Sequence, residues 1–132
     1  MPITADDVGQ SAADSVTVTE EHFASKVFPG APDVFSTPSL GALVEATAAA
    51  WLQERIGPGE MSVGTQLVIN HTAATPPGLV VFVEVKVASV DGRRIDFEWT
   101  ARDDREDVGY GTHQRFVVDR ERFNQRVAEK SR

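Results

Sequence analysis

A chain of 132 residues fits one domain with a sizeable core, and 41% hydrophobic with 25% charged residues is ordinary for a globular protein. With no cysteine, disulfides, zinc–thiolate sites and a catalytic thiol are excluded, and a net charge of −7 argues against nucleic acid as the partner. No apolar run approaches a membrane span, and the polar, acidic start is unlike a signal peptide, so the expected setting is the cytoplasm with no membrane partner.

Residues 1–14 show no periodicity and read as a loose lead-in to a single domain over residues 15–132. Ser15-Val16-Thr17-Val18-Thr19 alternates β-branched residues, the pattern of a short strand. Between residues 20 and 38 the pattern is lost. Phe28-Pro29-Gly30-Ala31-Pro32-Asp33 is loop chemistry, yet Phe23, Val27, Phe28, Val34 and Phe35 are apolar, so this segment is expected to cover a core edge or a ligand.

One long helix is predicted over residues 39–56. Leu40, Leu43, Val44, Thr47, Trp51 and Leu52 recur at helical spacing, and Gly57-Pro58-Gly59 stops the helix. Thr37 or Ser39 is the expected cap, with Pro38 at the first helical position. Gly41, Ala42, Ala46, Ala48, Ala49 and Ala50 leave a surface that another backbone can approach closely. Glu45 sits beside the apolar stripe, where a half-buried carboxylate has to be paired or put to use.

Four strands follow. Residues 62–73 hold Gly64, where a strand glycine marks a bulge or a close approach. Residues 79–90 place Leu79, Val81, Val83, Val85 and Val87 on one face, and Asp91-Gly92 is a hairpin turn leading into residues 93–103, with Ile95, Phe97, Trp99 and Ala101 inward. Residues 108–118 carry Gly109, Gly111, His113 and Arg115 on one face. The charged run 103–107 reads as a solvated turn, and residues 119–130 as a polar helix anchored by Phe123 and Val127. Strand, long helix and four strands joined by short turns make an α+β domain: one antiparallel sheet with a helix on one face. Its other face and edges call for a homodimer.

Pro76-Pro77-Gly78 is turn chemistry, which puts His71 near a strand end. An imidazole there can orient, donate or accept a proton. Thr37, Glu45 and His71 form the candidate constellation: carboxylate and imidazole as a base or nucleophile pair, hydroxyl to hold substrate or water. Thr37 and Glu45 lie about 12 Å apart along the helix axis, so they flank one substrate only if the preceding chain folds back or a second subunit contributes. There is no GxSxG elbow, P-loop or GxGxxG, and His22, His71 and His113 lack ligand spacing; neither a cofactor nor a metal is expected.

The run His71-Thr72-Ala73-Ala74-Thr75-Pro76-Pro77-Gly78, with Gly64-Thr65 before it and Gly111-Thr112-His113-Gln114-Arg115 after it, resembles the fluoroacetyl-CoA thioesterase family of the hotdog-fold superfamily. Val34-Phe35-Ser36-Thr37, Glu45, Val90-Asp91-Gly92-Arg93-Arg94 and Phe123-Asn124 extend the similarity. The resemblance implies a sheet wrapped around the long helix, a homodimer with its sites near the interface, and hydrolysis of a small or medium acyl-CoA, or of an acyl carrier protein thioester. It carries the family's catalytic threonine, glutamate and histidine onto Thr37, Glu45 and His71. An acyl-pocket glycine falls on Gly64, a site arginine on Arg115, and Phe35 lies on the substrate side. In the family the carboxylate attacks the thioester or activates water, the histidine assists proton transfer and the threonine orients. The family's fluoroacetate-selective member has an aromatic-rich lid before the threonine; here Gly30 and Ala31 stand in that loop, which suits a larger acyl group. Two rivals share these residue types: a hydratase or dehydratase acting on an enoyl or hydroxyacyl thioester, and a non-catalytic acyl-CoA-binding module. For the CoA phosphates the available cations are Arg93, Arg94, Arg115, Arg122 and Arg126.

Overall fold

The period-two patterns resolve into one antiparallel sheet. A computed structural model describes residues 3–132, and its strands are β1 (Ser11–Thr17), β2 (Glu60–His71), β3 (Val80–Asp91), β4 (Arg94–Arg102) and β5 (Asp107–Asp119), in the spatial order β1-β3-β4-β5-β2. A short helix, α1 (Ala24–Val27), precedes the long α2 (Thr37–Gln53), and α3 (Arg120–Glu129) closes the chain. The fold is the hotdog arrangement: a curled five-stranded sheet with one long helix against it.

Alternation decides which face the helix covers. Val81, Val83, Val85 and Val87 of β3 and Ile95, Phe97, Trp99 and Ala101 of β4 are all buried, and Leu40, Val44, Ala48 and Leu52 of α2 join them in one core. Each of the valines, leucines, Ile95 and Phe97 contributes about 1.5–3 kcal/mol by leaving water, so this seam is what holds the frame. Close approach needs small residues. A Cβ on Gly41 would lie 3.0 Å from Ile69 Cδ1 and 3.1 Å from Leu67 Cδ2. In β5, a Cβ on Gly111 would collide with the Val68 carbonyl, and the Trp99 indole N–H donates to that same carbonyl at 3.2 Å.

Several expectations change. The first strand starts at Ser11, not at residue 15, because Ser11, Ala12, Ala13 and Asp14 pair in register with Lys86, Val85, Glu84 and Val83; edge pairing overrides weak local propensity. The lead-in before it is ordered too. Met1 and Pro2 lie outside the described residues, but Ile3 is buried and Thr4 caps a 3₁₀ turn over Ala5–Asp7. The Pro-Pro-Gly segment is no hairpin, since β2 pairs with β5 and β3 lies between β1 and β4, so residues 72–79 cross over. Asp103, placed in a solvated turn by its charged neighbours, is 2% exposed. Phe123 is only half-buried and Val127 is exposed, so α3 has no buried anchor.

Candidate active site

The start of α2 sets the first half of the site. Ser36, not Thr37 or Ser39, is the cap: its backbone is extended and its Oγ accepts from the Ser39 N–H at 3.1 Å. Thr37 is therefore the first helical residue rather than the one before the helix, and its hydroxyl is free for another use. It meets His71, the last residue of β2, with Thr37 Oγ1 2.8 Å from His71 Nδ1 across 34 residues of sequence. The other ring nitrogen, Nε2, is buried and has no hydrogen-bond partner. Burial lowers the imidazole's pKa, because the charged form loses hydration. Burial thus favours the neutral ring of His71, with one nitrogen engaged by Thr37 and the other buried without a partner.

The crossover after β2 builds the wall beside this pair. The Phe35 N–H donates to the Thr75 carbonyl at 2.9 Å and the Thr72 N–H to the Val108 carbonyl at 2.8 Å. Thr75, itself fully buried, donates its hydroxyl to Asp103 Oδ2 at 2.8 Å. Burial opposes ionisation of Asp103, but the N–H groups of Arg105 and Glu106 and the Thr75 hydroxyl hold its carboxyl below the usual range. Phe35, Thr37 and His71 then line, with Ala24, Val34 and Ala73, a cavity of about 310 Å³. The expectation that the apolar loop covers something holds for Phe35, which is buried; Val27 and Phe28 are 60% and 70% exposed.

Glu45 belongs to a second cluster. It is exposed on the single chain, contrary to the half-buried position expected, because the flank of α2 bearing Ala42, Glu45 and Ala46 carries nothing over it. The register of β2 against β5 shifts between Gly64 and Gln66, a bulge that leaves Thr65 unpaired. A Cβ on Gly64 would lie 3.1 Å from Arg115 Nη1, 3.2 Å from His113 Cε1 and 3.4 Å from Glu45 Oε1. Glycine is what lets these groups converge. Arg115 and His113 are 7% and 1% exposed. Arg115 donates from Nε to Ser62 Oγ at 2.9 Å, from Nη2 to the Ser62 carbonyl at 3.1 Å and from Nη1 to His113 Nε2 at 3.2 Å. Burial lowers the guanidinium's pKa, and the negative charge of Glu45 works against that.

The structure therefore bonds Thr37 to His71 and sets Glu45 beside Gly64 and Arg115, with no hydrogen bond between the two sets among the described residues. It also sorts the cations available for phosphate. Arg115 is buried and committed, Arg93 pairs with Glu60 at 3.0 Å, and Arg94 pairs with Asp96 at 3.3 Å. Arg122 and Arg126 remain exposed on α3. Two residues escaped the sequence reading. His113 stands in the motif that carries the resemblance and on the same strand face as Arg115, which is the available signal, but the sequence reading gives it no role in the site. Asp103 was hidden among like charges. Among the described residues no helix is long and apolar enough to cross a membrane.

The family model described as fluoroacetyl-CoA-specific thioesterase matches residues 18–121. A fluoroacetyl-CoA thioesterase from Streptantibioticus cattleyicolor is 39% identical over 115 residues, covering 87% of this chain and 83% of that protein. A solved structure of the fluoroacetyl-CoA thioesterase FlK superposes with a TM-score of 0.89 at 35% identity, over 93% of this chain and 96% of that one, and a variant of FlK has been solved with acetyl-CoA bound. A hot-dog-like protein from Thermanaerovibrio acidaminovorans, 24% identical, matches with a TM-score of 0.88 over 93% and 91% of the two chains and is alike in fold.

Proposed function

Since the chain belongs to the fluoroacetyl-CoA-specific thioesterase family, we infer that it is an acyl-CoA thioesterase whose reaction is carried by Glu45, His71 and Thr37. The observation that bears most weight is the 2.8 Å contact between Thr37 and His71, which puts a polar pair in the wall of an open cleft from residues far apart in sequence. Glu45, on the same helix as Thr37, supplies the negative group. Its carboxylate either attacks the thioester carbonyl carbon or takes a proton from a water that does so. In both routes the C–S bond breaks and the thiolate leaves with little assistance, because it is a weak base. His71 passes a proton through Nε2 while Thr37 fixes its ring. Phe35 lines the cavity beside Thr37 and His71, Gly64 and Arg115 flank Glu45, and all three are assigned to substrate binding.

The acyl group is read as small or medium in size, carried on CoA in preference to a carrier protein; the acetyl-CoA complex of the FlK variant supports the CoA carrier. We place the working form as a homodimer. The carbonyls of Gln66, Val68 and Asn70 turn toward β4 and β5, so strand alternation leaves the backbone groups of Leu67 and Ile69 on an open edge beside Glu45. A twelve-residue edge strand left unpaired invites a second copy, which would also cover Glu45. A cysteine-free chain acting on acyl-CoA suits the cytoplasm.

The test is free-thiol release from short, branched, aromatic and fluorinated acyl-CoAs by the wild type and Glu45→Gln side by side. The substitution is expected to lower kcat about 10²–10⁴-fold, the range for loss of a catalytic acid–base group. Glu45 is exposed, so the folded state should be spared. In the nucleophilic route water then hydrolyses the Glu45–acyl anhydride, so ¹⁸O found in the Glu45 carboxylate after a single turnover in ¹⁸O-water, or capture of the anhydride by hydroxylamine, would establish that route. Release indifferent to Glu45 would refute the assignment.

A further inference from the structure

His113 is buried, lies next to the site and has no role in the reaction as described. Its two ring nitrogens have partners of opposite and invariant character. Nδ1 is 2.8 Å from the Gln66 carbonyl, which can only accept, and Nε2 is 3.2 Å from Arg115 Nη1, which can only donate. The ring is therefore pinned as the neutral tautomer with its hydrogen on Nδ1. Phe97 stacks on it with centroids 6.3 Å apart and planes 25° from parallel, which fixes the plane in which Nε2 points.

The consequence falls on Arg115. Its guanidinium is a buried cation, and a buried cation is ordinarily closed onto a carboxylate. Glu45 is within reach, since Glu45 Oε1 and Arg115 Nη1 lie 3.4 and 3.1 Å from the one point where a Gly64 Cβ would sit. Yet no ion pair joins them among the described residues. All of the guanidinium's hydrogen bonds go instead to neutral acceptors: the Ser62 hydroxyl, the Ser62 carbonyl and His113 Nε2. Of these, the His113 contact holds the Nη1 end, the end that faces Glu45.

We propose that His113 is a positioning residue that holds Arg115 off Glu45, leaving the carboxylate unpaired and available to react while its counter-charge stays nearby. If Nη1 loses this acceptor, the nearest replacement is Glu45, and an ion pair there would occupy the oxygen that must attack or take a proton. This inference rests on the thioesterase reading of Glu45.

Two substitutions split the two contacts of His113. His113→Gln places an amide oxygen near the former Nε2 and keeps an acceptor for Arg115. His113→Asn keeps a donor for the Gln66 carbonyl and loses that acceptor. Asn is one methylene shorter than Gln and each loses part of the ring's packing, so the melting temperature of each variant is measured beside its turnover. In acyl-CoA hydrolysis, His113→Asn is expected to lower kcat about tenfold or more with KM within about twofold, and His113→Gln to stay within about threefold of wild type in kcat, because only turnover requires a free carboxylate. Equal losses in both variants, or losses that follow their melting temperatures, would show His113 to be a packing residue and overturn the proposal; so would two variants that match wild type. Wild type and Glu45→Gln are assayed alongside. Hydrolysis that does not depend on Glu45 would refute the thioesterase reading itself and take this proposal with it, a result distinct from Glu45-dependent hydrolysis with indistinguishable His113 variants.

Discussion

His71 and His113 are both held neutral by burial, and that links stability to pH in a definite direction. Each has a folded pKa below the ordinary 6.5, with desolvation the leading cause. As the pH falls through about 6.5 the unfolded chain takes up protons that the folded chain refuses, so stability is full above this point and declines below it until the folded pKa is passed. Urea unfolding midpoints should therefore drop between about pH 7.5 and 5.5, and His71→Asn should drop less, because it removes one of the two groups that differ in proton uptake. A midpoint that is flat, or that rises on acidification, would mean that burial does not hold these rings neutral. Residue by residue, the site was readable to different depths. The structure brings Thr37 onto His71 and leaves Glu45 apart from them, and it moves the cap to Ser36: Ser36, Thr37 and Ser39 all have hydroxyls, and only backbone angles show which one turns back on the helix.

The crossover between β2 and β3 is the element whose integrity the site depends on most. It runs over residues 72–79, and its buried tie is Thr75 to Asp103. Asp103→Ala would strand the Thr75 hydroxyl and the N–H groups of Arg105 and Glu106, all now bonded to that carboxylate. The expected cost is about 2–4 kcal/mol of unfolding free energy, read by urea titration, since buried polar groups left without partners lose their full solvation. KM should rise with it, because the Thr75 carbonyl holds the Phe35 N–H at the cavity wall. An unchanged midpoint would place Asp103 back among the solvated charges of its turn. Sequence alone made the long helix and the β3–β4 hairpin legible, because their periods of 3.6 and two are strong local signals. The edge strand β1 and the crossover were misread because pairing partners, not local alternation, decide where an edge strand begins and which strands a loop connects.

At the scale of the molecule the open questions are the edge of β2 and what covers Glu45. Size-exclusion chromatography with light scattering should return about twice the 14.3 kDa chain mass. Ile69→Pro removes a backbone donor from the open edge, so it should shift the protein toward monomer and reduce hydrolysis together, whereas Ile69→Ala, which loses similar packing but keeps the donor, should stay dimeric. A monomeric wild type with full activity would refute the paired edge.

What the sequence determined by itself is the part written in local chemistry: the core stripe of α2, the alternating faces of β3 and β4, the bulge or close approach marked by Gly64, and the motifs that carry the family resemblance. What only the tertiary structure decided is who meets whom. Thr37 reaches His71 because Ser36 takes the cap. Arg115 is held by Ser62 and His113 instead of reaching phosphate or closing on Glu45, and Asp103 is buried beneath a loop that lies far from it in the chain. Such choices depend on distances between elements remote in sequence, and on which polar groups are left to satisfy one another once water has been excluded, and neither is present in any local pattern.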